Sequence, residues 1–256
     1  PAGLKAAETL ALRGFSVLLY EKEQAPGGQV LVASAGNLKE RLNWAIEDLV
    51  EACRVAGVEL NFGKTIDADE IAALKPYAVI LATGGIPVRP KSIQGIDGPQ
   101  VVTANDVILG KVKIENSDVI VAGSGLTGLE TTETLNDYGN RVTVVEMAKE
   151  IAPGAWFQLV DDEMERIRPF GTEFLTGTKL QAIEPGKVML EDTKTGKISE
   201  RKADYVVLAL GVRPAPNEAE KLRELGIEKV LTVGDADKSG PIANACHSAY
   251  DAVMNI

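Results

Sequence analysis

The sequence predicts an α/β protein of two three-layer domains, each a parallel sheet between helices, with the second domain inserted into the first. Three observations predict it. A strand, glycine turn, helix and second strand follow one another from Val119 to Met147, as VIVAGSGLTGLETTETLNDYGNRVTVVEM. The latter part of that unit recurs at the start of the chain, where Gly3 to Glu21 aligns with Gly128 to Glu146 without a gap and matches at 8 of 19 positions. A second pair of landmarks repeats at nearly the same spacing: Tyr77-Ala-Val-Ile-Leu-Ala-Thr-Gly-Gly85 and Tyr205-Val-Val-Leu-Ala-Leu-Gly211, each a strand running into a glycine turn.

The first copy opens inside its own motif. Leu4 to Leu12 reads as a helix with Leu4, Ala7 and Leu12 on related turns, Gly14 ends it, and Phe15 to Tyr20 is a strand closed by Glu21. Gly3 takes the place of the third motif glycine. The strand and the two glycines that would precede it are not in the string, so this domain is expected to be truncated at its N-terminus and to lack its first strand. In a parallel sheet that strand is central and buried on both faces. Its loss removes ladder partners and the backbone turn that cradles a pyrophosphate.

The second copy is complete. Ser117 to Ala122 holds a short apolar strand, and Gly123-Ser124-Gly125-Leu126-Thr127-Gly128 follows as G-x-G-x-x-G in the context that gives the pattern meaning. Gly123 permits the tight turn, Gly125 lets backbone approach a pyrophosphate, and Gly128 lets the helix pack closely on the strand. Leu129 to Tyr138 continues the helix, Gly139 ends it, and Arg141 to Val145 is the next strand, closed by Glu146. A carboxylate there accepts hydrogen bonds from both adenosine ribose hydroxyls and repels a 2′-phosphate, which favours NADH over NADPH. Both domains are therefore expected to be Rossmann-like and to bind dinucleotides.

Downstream, Thr83-Gly84 and Gly211 end the repeated landmark strands, where the chain returns toward a ligand. Leu231 to Ala236 reads as a strand presenting Gly234 and Asp235, followed by an apolar helix from Ile242 to Met254. That helix N-terminus suits a phosphate or a polarised carbonyl. Lys187 to Asp192 and Lys197 to Leu208 flank a hairpin turn at Thr193-Lys-Thr-Gly196. The expected organisation is residues 1–110 plus 209–256 as one discontinuous domain and 114–205 as the insert, with hinges near Gly110-Lys111 and between Gly211 and Pro216.

A net charge of -10 excludes a nucleic-acid surface, and no run approaches the roughly 20 apolar residues of a membrane span. Cys53 and Cys246 are the only cysteines; they form no C-x-x-C and supply neither a redox disulfide of that spacing nor a complete iron-sulfur site. Such sparse cysteine points to the cytoplasm. No metal-ligand spacing occurs, and the lone His247 reads as structural. The run Glu163 to Arg168 reads as solvated helix charge, and Trp44 and Trp156 as packing residues. Partners are a nicotinamide nucleotide, and a sheet short of a central strand favours self-association.

After Glu21 the chain continues Ala25-Pro26-Gly27-Gly28-Gln29, then Leu38-Lys39-Glu40 and Asn43-Trp44. With Ala82-Thr83-Gly84-Gly85, Gly123 to Gly128, Gly211-Val-Arg-Pro214 with Asn217, and Gly234-Asp235, this resembles the C-terminal FAD/NAD(P)H-binding region of the NADH:flavin oxidoreductases related to old yellow enzyme. That group holds 2,4-dienoyl-CoA reductases, enoate and bile-acid reductases, and trimethylamine dehydrogenase. The glycine motifs alone mark only the wider pyridine nucleotide-disulfide oxidoreductase-like fold; Gly27-Gly28-Gln29 and the absent C-x-x-C narrow it. The resemblance spans essentially the whole chain.

It implies a parent with an N-terminal FMN barrel, a four-cysteine 4Fe-4S segment, and then this region. Hydride would pass from NADH to FAD, electrons through the cluster to FMN, and hydride to an activated C=C bond. By the resemblance Gly3, Glu21, Thr83, Gly84, Gly234 and Asp235 hold FAD, with Gln29 near it. Gly123, Gly125, Leu126, Thr127, Gly128 and Glu146 hold NADH, and Gly211 lies where the chain returns. No side chain is expected to be catalytic, since hydride transfer needs two rings stacked at roughly 3–3.5 Å and water excluded. The lost Gly-x-Gly implies that little FAD stays with this chain. A non-enzymatic alternative stays open, in which the sites hold ADP or another adenine nucleotide structurally, as in trimethylamine dehydrogenase.

Overall fold

The computed structural model describes residues 1–256 and divides into two compact units, one of Pro1–Ser34, Lys39–Ile86 and Val212–Ile256, the other of Ala35–Leu38 and Pro87–Gly211. The first begins with α1 (Ala2–Leu12), β1 (Leu18–Glu21), α2 (Gln29–Ser34), α3 (Leu42–Val55), β2 (Glu59–Phe62), α4 (Ala68–Ala73), β3 (Val79–Leu81) and β4 (Gly85–Pro87). β1 pairs with β2 in parallel, with Leu18 opposite Glu59. A capping box starts α4: the Asp67 side chain accepts from the Glu70 N–H, and Glu70 returns the bond to the Asp67 N–H.

The second unit runs through β5 (Val101–Thr103), α5 (Ala104–Ile108), β6 (Asp118–Ala122), α6 (Leu126–Asp137), β7 (Arg141–Val145), α7 (Phe157–Ile167), β8 (Glu173–Leu175), β9 (Thr178–Glu184), β10 (Lys187–Asp192), β11 (Ile198–Lys202) and β12 (Tyr205–Leu208). Its main sheet has the order β5-β12-β6-β7-β8, with every pair parallel. Val119, Ile120, Val121 and Ala122 are all buried, as a central strand covered on both faces requires. One face packs Val119, Val121, Leu135, Val142, Val144 and Val207. The other packs Ile120, Val145 and Val206 against an antiparallel sheet of order β11-β10-β9.

The chain returns to the first unit with β13 (Val212–Pro214), α8 (Ala219–Glu224), β14 (Val230–Thr232) and α9 (Ile242–Met254). β14 pairs with β3 in parallel, and β13 pairs with β4. Helix α1 carries two apolar faces: Leu4 and Ala7 pack with Ile46, Val50 and Cys53 of α3, while Ala2, Ala6 and Leu10 pack with Val233, Ala249 and Val253. The strands of this unit stay as separate pairs, β1-β2 and β14-β3, rather than one continuous sheet.

Three local differences from the sequence reading have simple causes. Residues 87–110 belong to the second unit, because β5 pairs with β12 at the edge of its sheet. The segment Lys197 to Leu208 is two strands. Its first part pairs antiparallel with β10, and Ala203-Asp204 then turns the chain so that Tyr205 to Leu208 joins the parallel sheet. Leu231 to Ala236 divides likewise into β14 and a single 3₁₀ turn at Gly234–Ala236.

Candidate functional site: a glycine turn and its carboxylate

β6 delivers the chain to Gly123, whose N–H donates to Val145 O at 2.9 Å and whose φ of +102° suits only glycine. A β-carbon there would lie 2.5 Å from Ala209 O. One on Gly128 would collide with the Gly123 carbonyl, so α6 crosses directly over the turn. Gly125 differs: a β-carbon there would meet nothing within 4 Å. It is also the N-cap of α6, and no side chain caps that helix. The first-turn amides, at Leu126, Thr127 and Gly128, are therefore left for an anion supplied from outside.

Glu146 stands at the end of β7 and reaches back to this turn. Its Oε2 accepts from the Ser124 N–H and from the Ser124 hydroxyl, each at 2.9 Å, and its Oε1 accepts from the Ala148 N–H at 2.8 Å. Burial pushes its carboxyl upward, but the donors from Ala148 and Ser124 outweigh it and hold the group below the ordinary glutamate value. The second unit thus joins Gly123, Gly125, Leu126, Thr127, Gly128 and Glu146 into one constellation. Ser124 belongs to it as well and was not legible in the sequence, because the second position of G-x-G-x-x-G carries no residue requirement.

In the first unit, three predicted segments converge on the start of α1. A β-carbon on Gly3 would lie 3.2 Å from Ala82 Cβ, and one on Gly234 would lie 2.7 Å from Ala2 Cβ. Gly3, Thr83-Gly84 and Gly234-Asp235 are thereby neighbours. Gly84 has a φ of +73° and open space where a side chain would stand. Asp235 Oδ1 accepts from the Gly240 N–H at 3.2 Å, and the Gly234 N–H donates to Ser248 Oγ at 3.0 Å. Glu21 ends β1, with Oε1 accepting from the Glu23 N–H at 3.0 Å, and Gln29 opens α2. Gly211, with φ +79°, is exposed and accepts from the Val88 N–H at 3.0 Å.

One charged run falls elsewhere than expected. The Glu163 to Arg168 run is not uniformly solvated, since Glu163 is buried and Arg166 binds Glu133 of α6 at 2.8 Å. His247 lies exposed on α9. Trp44 and Trp156 are 59% and 78% exposed. No helix is long and apolar enough to cross a membrane.

A family described as pyridine nucleotide-disulphide oxidoreductase matches residues 1–230. The chain belongs to that family. Among curated relatives, an NADH oxidase of Thermoanaerobacter brockii is 40% identical over 264 residues, covering 100% of this chain and 40% of that protein. A bilirubin reductase of Mediterraneibacter gnavus is 36% identical, covering 97% of this chain and 38% of that protein. Among solved structures, a 2-naphthoyl-CoA reductase complex superposes with a TM-score of 0.89 at 27% identity, covering 100% of this chain and 38% of that one. The chain thus spans about 40% of the length of these relatives. It matches the FAD- and NADH-binding part of the old-yellow-enzyme-related group to which its sequence motifs point.

Proposed function

We propose that this chain is the FAD- and NADH-binding portion of a larger oxidoreductase, whose FMN barrel domain reduces an activated C=C bond. The observation that carries the reading is the Gly123–Gly128 turn beneath an uncapped α6, with the Glu146 carboxylate fixed beside it. The open face at Gly125 and the first-turn amides fit a pyrophosphate. Glu146 fits the two ribose hydroxyls of NADH and excludes a 2′-phosphate by charge.

For FAD, the residues are Gly3, Glu21, Gln29, Thr83, Gly84, Gly234 and Asp235. The open positive-φ turn at Gly84 and its neighbours around α1 fit close approach by a nucleotide cofactor. When bound, that flavin supplies hydride acceptance from NADH and onward transfer. The chain's own side chains bind, orient and exclude the wrong nucleotide; none is required as a nucleophile or general base. Relatives named NADH oxidase and bilirubin reductase support this direction of electron flow, and their greater length leaves room for the domain that meets the final substrate.

Anaerobic titration of the full-length protein with NADH tests the reading. Bleaching of flavin absorbance is expected at stoichiometric NADH, with NADPH much less effective. Absence of flavin, or a flavin that NADH leaves oxidised, would overturn it. Release of ADP rather than FAD on denaturation would assign the first unit a structural nucleotide instead.

A further inference from the structure

The Ser124 side chain is fully buried and engaged on both sides. Its hydroxyl donates to Glu146 Oε2 at 2.9 Å and accepts from the Ala152 N–H at 3.0 Å, so its single proton and one of its two lone pairs are committed. Its backbone N–H donates to the same Glu146 oxygen. Ala152 is itself buried and has a φ of +48°, a left-handed conformation rare outside glycine and held here by the surroundings. The Ala148 N–H closes on Oε1 from the same segment. The glycine turn and the segment after β7 therefore grip one carboxylate from two directions, and the Ser124 hydroxyl is the atom that joins the two.

We infer that Ser124 is a positioning residue that makes the site selective for NADH, by holding the Glu146 carboxylate where a 2′-phosphate would have to sit. This rests on the reading of the second unit as the nicotinamide-nucleotide site. A carboxylate free to rotate yields room to an incoming phosphate of about −1.5 to −2 charge. One pinned by charge-assisted bonds from two segments cannot do so without breaking them. Preorganisation also spares NADH the cost of ordering the carboxylate on binding. Glu146 supplies the charge, and Ser124 determines whether the charge stays in place.

The test measures dissociation constants of NADH and NADPH for the full-length protein and for Ser124→Ala, Glu146→Gln and the double variant. Ser124→Ala is expected to weaken NADH several-fold, because the released carboxylate must then be ordered on binding, and to narrow the NADPH-to-NADH ratio several-fold. In the Glu146→Gln background, Ser124→Ala is expected to leave that ratio unchanged, since there is no charge left to position. Ser124→Cys, which keeps the shape but donates weakly, carries the same expectation should alanine loosen the turn. An unchanged ratio in Ser124→Ala, or an equal narrowing in both backgrounds, would overturn the inference while leaving NADH binding in place. No binding of either nucleotide by the unsubstituted protein would overturn the reading beneath it as well.

Discussion

The carbonyl carbon of Gly123 lies 3.0 Å from the place a β-carbon on Gly128 would occupy, and the carbonyl oxygen lies closer still. Both atoms are backbone in a turn already fixed by hydrogen bonding to β7, so neither can yield. Gly128→Ala should cost about 1–3 kcal/mol of stability, the range for overpacking, and displace α6 from the turn. Gly125→Ala should behave oppositely. Its φ is −58°, which alanine tolerates, and its methyl would enter open space. It should melt within a few degrees of the parent yet bind NADH about tenfold more weakly, because the methyl would occupy the approach proposed for the pyrophosphate. Thermal melts paired with NADH titration check both, and a Gly128→Ala variant as stable as the parent would refute the packing argument.

Asp118 joins two strands through its side chain. Oδ1 lies 2.6 Å from Arg141 Nε on β7, and Oδ2 lies 2.6 Å from Lys202 Nζ on β11. Hydrogen bonding from Arg141 first and Lys202 second holds its carboxyl well below the usual range. A carboxyl depressed in the folded state contributes stability at pH values above its unfolded value, near 3.9, and loses it as pH falls through the lower folded value. Asp118→Asn should thus be less stable at neutral pH, by about 1 kcal/mol or less because both cations are largely exposed. The gap should begin to narrow as pH drops below the ordinary carboxylate range and close only below the depressed folded value. Urea denaturation from pH 7 to pH 3 measures it; a gap independent of pH would rule this origin out.

How much of this was legible follows from which residues answer to local rules. Gly123 and Gly128 were readable because a positive φ and a helix crossing backbone leave no other choice, and Glu146 because it ends a strand at a fixed distance from them. Helix α9 was read to its bounds, since its apolar spacing is followed through to Met254. Ser124 was not legible: its role depends on Ala152, 28 positions away, whose own left-handed backbone nothing in the local sequence announces. The membership of β5 was hidden for the same reason, because its partner β12 lies about a hundred residues on. Burial of Glu163 was misread because charge alone suggests solvent, and the cation that answers it also binds Glu133 on a different helix.

That cation is Arg166. Its guanidinium binds Glu133 at 2.8 Å, Asp162 at 2.6 Å and Glu163 at 3.1 Å, and both glutamates are buried. Arg166→Met keeps the stem but leaves two buried carboxylates between α6 and α7 without it. The expected loss is about 2–3 kcal/mol, below the roughly 3–5 kcal/mol of a fully buried pair because Arg166 is 22% exposed. Adding Glu133→Gln should recover part of it by removing one charge. Urea midpoints of the single and double variants decide the point. If Arg166→Met unfolds at the same midpoint as the parent, the network contributes nothing.

Cys53 and Cys246 differ in accessibility, which predicts their reactivity. Cys53 is fully buried on α3, and its thiol donates to Leu4 O of α1 at 3.2 Å. Burial pushes that thiol up, so it holds little thiolate at neutral pH in addition to being shielded. Cys246, on α9, is partly exposed. For these two thiols, a thiol-specific reagent at pH 7.5 should label Cys246 alone in the folded protein, with Cys53 reacting only once urea opens the contact between α1 and α3. Raising the pH within the native range should leave Cys53 silent, because burial shields the thiol whatever its thiolate fraction. Peptide mapping after timed labelling separates the two, and rapid native labelling of Cys53 would mean that α1 leaves its seat on α3 in solution.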